Sequence, residues 1–100
     1  MQFVIIARDG TDADAVSRRS QVRPAHLEGI HPLVDRGHVP LGGAVLDAGG
    51  QMIGSVMVVD FPTREDLDTW LSSDPYVTGG VWKEIEVYPF RPAVGSWLPS

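Results

Sequence analysis

The chain has 100 residues, 43% of them hydrophobic, and a formal net charge of −5 at pH 7. This length predicts one domain over residues 1–100 with its own hydrophobic core and a C-terminal tail from about residue 91. The acidic balance argues against nucleic acid as a partner, the absence of cysteine excludes disulfides and cysteine-based metal sites, and no apolar run approaches the ~20 residues that span a bilayer.

The first predicted elements are a strand over residues 3–7, an apolar run rich in β-branched residues, and a helix over about residues 13–36. The polar turn at residues 9–12 is expected to supply the helix cap. Pro24 and Pro32 are expected to interrupt or kink the helix, since proline removes a helical hydrogen bond. The expected buried stripe of this helix consists of Leu27, Ile30, Leu33 and Val34.

A hairpin is predicted next, with strands over residues 39–47 and 51–61 joined by the turn at residues 48–50. Gly42 and Gly43 inside its first strand indicate either a β-bulge or a place where a ligand approaches the backbone. Thr63 is expected to cap a second helix with an apolar face, and a fourth strand is predicted over residues 82–90. Trp97 and Leu98 in the tail are expected to pack, either against this chain or against a partner subunit.

The predicted order β-α-β-β-α-β indicates an α+β, ferredoxin-like protomer, because crossovers between parallel strands are right-handed. Such a protomer has an antiparallel four-stranded sheet with two helices on one face. The other face would expose a large apolar surface, so a homodimer with stacked sheets is expected.

Two polar residues 48 positions apart are the main candidates for chemistry. His26 lies on the first helix, and imidazole changes its charge near neutral pH. Asp74 precedes Pro75, where a carboxylate caps a short helical turn and is also able to orient a histidine. The alternative for His26 is a hydrogen-bonded histidine at the edge of the core without any chemistry.

Several short motifs resemble those of the YCII-related (YciI-like) family of small bacterial proteins. They are Phe3–Asp9, Arg23–Leu27, Gly37 with Leu41–Gly43, Gly54–Ser55, Asp74–Tyr76, Gly79–Gly80 and Tyr88–Phe90. The resemblance implies a dimeric α+β barrel similar to muconolactone isomerases and cofactor-independent monooxygenases. It also implies that His26 and Asp74 form the active site, and one member of the family dehalogenates a chlorinated aromatic-derived ring.

Further residues complete the expected site. Arg8 and Arg23 are expected to hold a substrate carboxylate or enolate, since arginine binds such groups in a bidentate fork. The remaining predicted substrate-binding residues are Gly42, Gly43, Ser55 and Tyr76. Among His31, Asp35 and His38, no histidine pair has the i, i+4 spacing of a helical zinc site. His31 and Asp35 have this spacing, but one histidine and one carboxylate are a weak signal, so neither a metal site nor a cofactor is expected.

The leading hypothesis is therefore a cofactor-independent enzyme, a lyase or isomerase by resemblance, that moves a proton on a small ring-like or acidic metabolite. The alternatives are a non-catalytic module that binds a small molecule and a purely structural dimer. Because residues 1–7 carry no basic leader, a cytoplasmic location is expected.

Overall fold

Four strands form one antiparallel sheet in the computed structural model, which describes residues 1–96. The strands are β1 (Gln2–Asp9), β2 (Leu41–Leu46), β3 (Met52–Asp60) and β4 (Trp82–Pro89), and the helices are α1 (Ala15–Asp35), α2 (Arg64–Ser73) and α3 (Pro75–Thr78). The sheet order is β2-β3-β1-β4, and all neighbouring strands are antiparallel. This topology confirms the predicted α+β, ferredoxin-like fold.

The two faces of the sheet differ because successive side chains of a strand point in opposite directions. Phe3, Ile5 and Ala7 of β1 are buried, and they pair with Val59, Met57 and Ser55 of β3. These side chains form the core with residues of α1 and α2. The intervening residues of β1 and β3 are less buried, so the second face of the sheet is open in the protomer.

The expected interruption of the first helix is wrong, because α1 continues through Pro24 and Pro32. Each proline removes a hydrogen bond to the carbonyl four residues earlier, which belongs here to Ser20 and Glu28. Both of these residues are exposed, so water can hydrate the two carbonyl groups. The helix ends at Asp35, and Gly37 follows with a φ of 81°, a left-handed conformation that favours glycine.

The expected buried stripe of α1 is only partly correct. Its buried residues are Ala15, Arg19, His26 and Ile30, whereas Val34 is exposed. Two polar side chains therefore occupy positions on the inner face of the helix. These two polar residues lie where the hydrophobic core ends and the candidate site begins.

Local hydrogen bonds explain several element boundaries. Thr63 caps α2 as expected, since its side chain accepts a hydrogen bond from the amide of Asp66 at 3.1 Å. The cap expected from residues 9–12 is wrong, because the N-cap is Asp14 and the Asp12 carboxylate instead pairs with Arg18 at 2.7 Å. The arginine holds the pKa of Asp12 at about 2.

The glycine pair of β2 forms no bulge. Gly42 and Gly43 pair regularly with Met57 and Val56, and the register of this hairpin shifts only between Val45 and Leu46. The expected packing of Trp97 and Leu98 falls outside the described residues. Among the described residues, no helix is long and apolar enough to cross a membrane.

Candidate functional site

The site centres on a contact between α1 and the start of α3. The Nδ1 atom of His26 lies 2.9 Å from both carboxylate oxygens of Asp74. His26 is 7% exposed and Asp74 2%, so water competes little for this contact. The expected pairing of these two residues is thus present.

Asp74 is held in place by the turn that it caps. Its Oδ2 atom accepts a hydrogen bond from the amide of Tyr76 at 3.0 Å, and Pro75 begins the helical turn. The predicted capping role and the predicted contact with His26 therefore coexist. Since the cap fixes the carboxylate, the acceptor for the histidine N–H is preorganised.

Aromatic side chains fix the plane of the imidazole. The ring of Tyr76 stacks on His26 at a centroid distance of 3.9 Å and an angle of 14°, and Trp82 meets it edge-on at 5.9 Å. Burial raises the pKa of the Tyr76 hydroxyl, against the opposing effect of Arg19 and Arg23. Tyr76 is therefore a neutral phenol at physiological pH.

A second buried polar cluster lies beside the first. The Nη1 atom of Arg19 donates to both carboxylate oxygens of Asp9, at 3.0 and 3.1 Å, and Nη2 donates to Ser55 Oγ at 2.8 Å. The indole N–H of Trp82 donates to the same Ser55 oxygen at 3.2 Å. The guanidinium carbon of Arg19 also lies 4.7 Å from the centre of the Tyr76 ring, which joins the two clusters.

Both clusters border a cavity of about 420 Å³ between α1 and the β2–β3 hairpin. Its apolar wall includes Leu27, Ile30, Val34 and Met57. Its polar wall includes Arg19, Arg23, His26, Ser55 and Tyr76. A volume of this size with a few convergent polar groups is typical of small-molecule sites.

The structure brings most of the predicted substrate-binding residues to this cavity. Arg23, Gly42, Gly43, Ser55 and Tyr76 all line it, together with His26. A Cβ atom on Gly42 would lie 3.5 Å from the Met57 side chain, in ordinary contact. The glycine is therefore not required by its immediate packing.

Arg8 does not line the cavity. It lies in β1 between two residues that face the helices, so its side chain points to the opposite face of the sheet. There it is exposed and pairs loosely with Glu84 at 3.8 Å. The positive charge expected from Arg8 is supplied at the cavity by Arg19.

Sequence reasoning missed Arg19, Asp9 and Trp82 as members of the site. A signal for Arg19 was present, because it precedes His26 by seven residues and two helical turns place both on one face. Asp9 and Trp82 lie opposite each other on β1 and β4, a pairing that no local pattern reveals. Among residues 1–96, no group of three or more metal-ligating side chains is arranged to hold a metal ion.

The model of the YCII-related domain matches residues 1–91 of the chain. Protein YciI of Escherichia coli is 35% identical over 97 residues, covering 91% of this chain and 97% of that protein. The protein of Emericella nidulans named "derivative of benzaldehyde biosynthesis cluster protein C" is 33% identical over 76 residues, covering 69% of this chain and 78% of that protein.

Two solved structures share the fold. The 5-chloro-2-hydroxyhydroquinone dehydrochlorinase of Burkholderia phenoliruptrix, solved in complex with 2,5-dihydroxybenzoquinone, has a TM-score of 0.83 and 22% identity, covering 93% of this chain and 96% of that one. Muconolactone isomerase has a TM-score of 0.68 and 17% identity, covering 100% and 98%. At these identities the likeness concerns the fold alone.

Proposed function

The chain belongs to the YCII-related domain family, and on that basis we propose that it is a cofactor-independent enzyme that transfers protons on a small ring-like or acidic metabolite. The observation that carries the proposal is the buried contact of His26 with Asp74 at the wall of the cavity. In this proposal His26 is the general base and acid, and Asp74 orients it.

In this proposal each ring nitrogen of His26 has its own task. An ionised carboxylate only accepts hydrogen bonds, so the Nδ1 atom facing Asp74 carries the proton. The Nε2 atom of the neutral ring then keeps its lone pair and is available as a base. When Nε2 takes a proton, the Asp74 carboxylate stabilises the resulting cation.

The reaction class follows from where the proton goes. His26 removes a proton from a carbon next to a carbonyl group, the C–H electron pair forms a C=C bond, and the C=O π pair moves onto the carbonyl oxygen. Return of the proton to another carbon completes an isomerisation, whereas loss of a leaving group such as chloride completes an elimination. The two fold relatives named above carry names of these two kinds.

The cavity lining indicates the substrate class. Arg19 and Arg23 favour an anionic group, and the apolar wall formed by Leu27, Ile30 and Met57 suits a flat ring. Compounds of the type named for the relatives, namely 5-chloro-2-hydroxyhydroquinone and muconolactone, are therefore the first to test. 2,5-Dihydroxybenzoquinone, the ligand of the dehydrochlorinase complex, is a suitable first binding probe.

The test compares turnover of these compounds by the wild type, His26→Gln and His38→Gln. His38 is the matched control, because its Nδ1 atom donates to the backbone carbonyl of Asp60 at 2.8 Å and it does not line the cavity. Loss of a positioned general base is expected to lower kcat roughly 10²–10⁴-fold in His26→Gln only. Full activity of His26→Gln would overturn the proposal, and binding without turnover by the wild type would favour the non-catalytic module.

The proposal includes a homodimer that functions in the cytoplasm. Four large side chains on the open face of the sheet, Leu41, Val45, Val56 and Tyr88, are between 40% and 53% exposed. A second copy that stacks its own sheet on this face would bury them, which stabilises by roughly 25 cal/mol for each Å² of apolar surface. A monomer mass in light scattering at micromolar concentration would contradict the dimer.

A further inference from the structure

The hydroxyl group of Ser55 has both of its acceptor positions occupied. Arg19 Nη2 and Trp82 Nε1 approach its oxygen at 2.8 and 3.2 Å. Guanidinium and indole N–H groups are donors only, so neither can accept the serine proton. With two lone pairs used, the O–H bond of Ser55 is left to act as a donor in the remaining direction.

No acceptor for this proton is found among the described residues of the chain. Ser55 is 4% exposed, and its hydrogen bonds with residues 1–96 are the two that it accepts. It lies in the middle of β3 and pairs with Ala7 and Ala44, whose short side chains leave space beside it. Since Ser55 borders the cavity, the cavity is where an acceptor can reach it.

Arg19 makes the Ser55 hydroxyl group a stronger hydrogen-bond donor. A hydroxyl group that accepts a hydrogen bond from a cation donates its own proton more strongly. Arg19 is anchored by Asp9 through Nη1, and its buried Nε–H group has no partner among residues 1–96. Next to Ser55 the cavity therefore presents hydrogen-bond donors. Because Asp9 balances the charge of Arg19, further positive charge at the cavity comes from Arg23.

We propose that Ser55, held by Arg19 and Trp82, is the donor that binds the substrate oxygen on which negative charge develops. This inference rests on the proposed function, because that oxygen belongs to the carbonyl group next to the carbon that His26 deprotonates. The substrate class becomes a cyclic ketone, quinone or phenol with an acceptor oxygen at this point. A substrate with an amine or ammonium group there would meet only other donors.

The proposed proton transfer involves only the substrate, His26 and Ser55. The proton moves from carbon to His26 Nε2, the C–H pair becomes part of a C=C bond, and the C=O π pair becomes a lone pair on oxygen. Ser55 donates a hydrogen bond to this oxygen and keeps its proton. Such a preorganised donor stabilises the enolate more than the ketone, which is the requirement for faster reaction.

The test uses binding of 4-nitrophenolate, a stable oxyanion whose absorbance reports its environment, with nitrobenzene as a matched ligand without the oxyanion. Ser55→Ala is expected to weaken 4-nitrophenolate binding roughly 10- to 100-fold, the worth of a hydrogen bond to a charged group, and to leave nitrobenzene binding nearly unchanged. Ser72→Ala, the same change at an exposed serine of α2, is the control.

Ser55→Ala orphans two buried donors and risks unfolding, so Ser55→Cys, whose larger thiol is a weak acceptor for these donors and only a weak S–H donor, provides a second variant. Circular dichroism establishes which variants are folded. A folded variant that still prefers 4-nitrophenolate as the wild type does would overturn the proposal, as would a wild type without this preference. Phenolate binding requires no turnover, so a failure here is distinct from a failure of His26 as a base.

Discussion

Replacement of Asp74 by asparagine is expected to reverse the tautomer of His26. In the wild type, both carboxylate oxygens face Nδ1 at 2.9 Å, while Oδ2 also accepts from the amide of Tyr76. In Asp74→Asn the amide oxygen stays with the Tyr76 N–H, which requires an acceptor. The amide nitrogen then faces Nδ1 and donates to it, so the ring proton moves to Nε2 and the base is lost.

The magnitude follows from the groups that change. Asp74→Asn keeps an acceptor for the Tyr76 amide and a partner for Nδ1, so it is expected to cost only about 1 kcal/mol of unfolding free energy. Asp74→Ala removes the cap, worth about 1 kcal/mol, and leaves a buried ring N–H unsatisfied, which costs roughly 1–3 kcal/mol. Denaturant unfolding should therefore show a larger loss of unfolding free energy in Asp74→Ala than in Asp74→Asn. The difference measures the cap and the contact with His26, both of which Asp74→Asn keeps while it changes the tautomer.

Long-range ¹⁵N NMR measures the tautomer directly, because protonated and unprotonated ring nitrogens have well-separated shifts. A protonated Nδ1 is expected in the wild type at a pH where His26 is neutral, and a protonated Nε2 in Asp74→Asn. Asp68→Asn on α2 is the matched control, since Asp68 is exposed and pairs with Arg64 at the protein surface. A protonated Nε2 in the wild type would refute the assignment of the base.

Three further outcomes are expected. Arg19→Met should lower the unfolding free energy by roughly 3–5 kcal/mol in denaturant melts, because it leaves the Asp9 carboxylate buried and uncompensated; a loss below 1 kcal/mol, as for an exposed pair, would contradict this. Val56→Lys should convert the proposed dimer to a monomer in light scattering, and an unchanged dimer mass would place the interface elsewhere. In Tyr88→Phe, the absorbance of the remaining Tyr76 should titrate above the ordinary tyrosine pKa, since burial raises the Tyr76 pKa. The stability that the raised Tyr76 pKa contributes is present below the ordinary tyrosine pKa and is lost as pH rises, because the unfolded chain releases the phenolic proton first. Titration of Tyr76 at the ordinary tyrosine pKa would contradict the expected shift.

Local sequence patterns predicted the fold, except at the two prolines of α1, where exposure to solvent allows the helix to continue. Alternating apolar residues, the hairpin turn and the element order together indicate the sheet and its topology. Pro24 and Pro32 misled because their penalty depends on whether the carbonyl groups that lose a partner are hydrated. Exposure of Ser20 and Glu28 is a property of the folded molecule that residue identity does not contain.

The candidate site was accessible only in part, because its members come from distant elements. His26 and Asp74 stood out through their chemistry and motifs. Arg19 did not stand out by residue type, since its neighbour Arg18 is also an arginine, and only the two-turn spacing from His26 separates the buried Arg19 from the half-buried Arg18. Arg8 and Asp9 are also neighbours, yet strand alternation sends one to the open face and the other to Arg19.

Transfer of deuterium from solvent to substrate carbon tests the central claim most directly. Turnover of an isomerised substrate, in which a carbon takes up a proton at the end of the reaction, is followed in D₂O by mass spectrometry in the wild type and in His26→Gln. Deuterium is expected at the carbon that exchanges its proton through Nε2, with the rate reduced roughly 10²–10⁴-fold in His26→Gln. Equal rates of incorporation in the two proteins would contradict the role of His26.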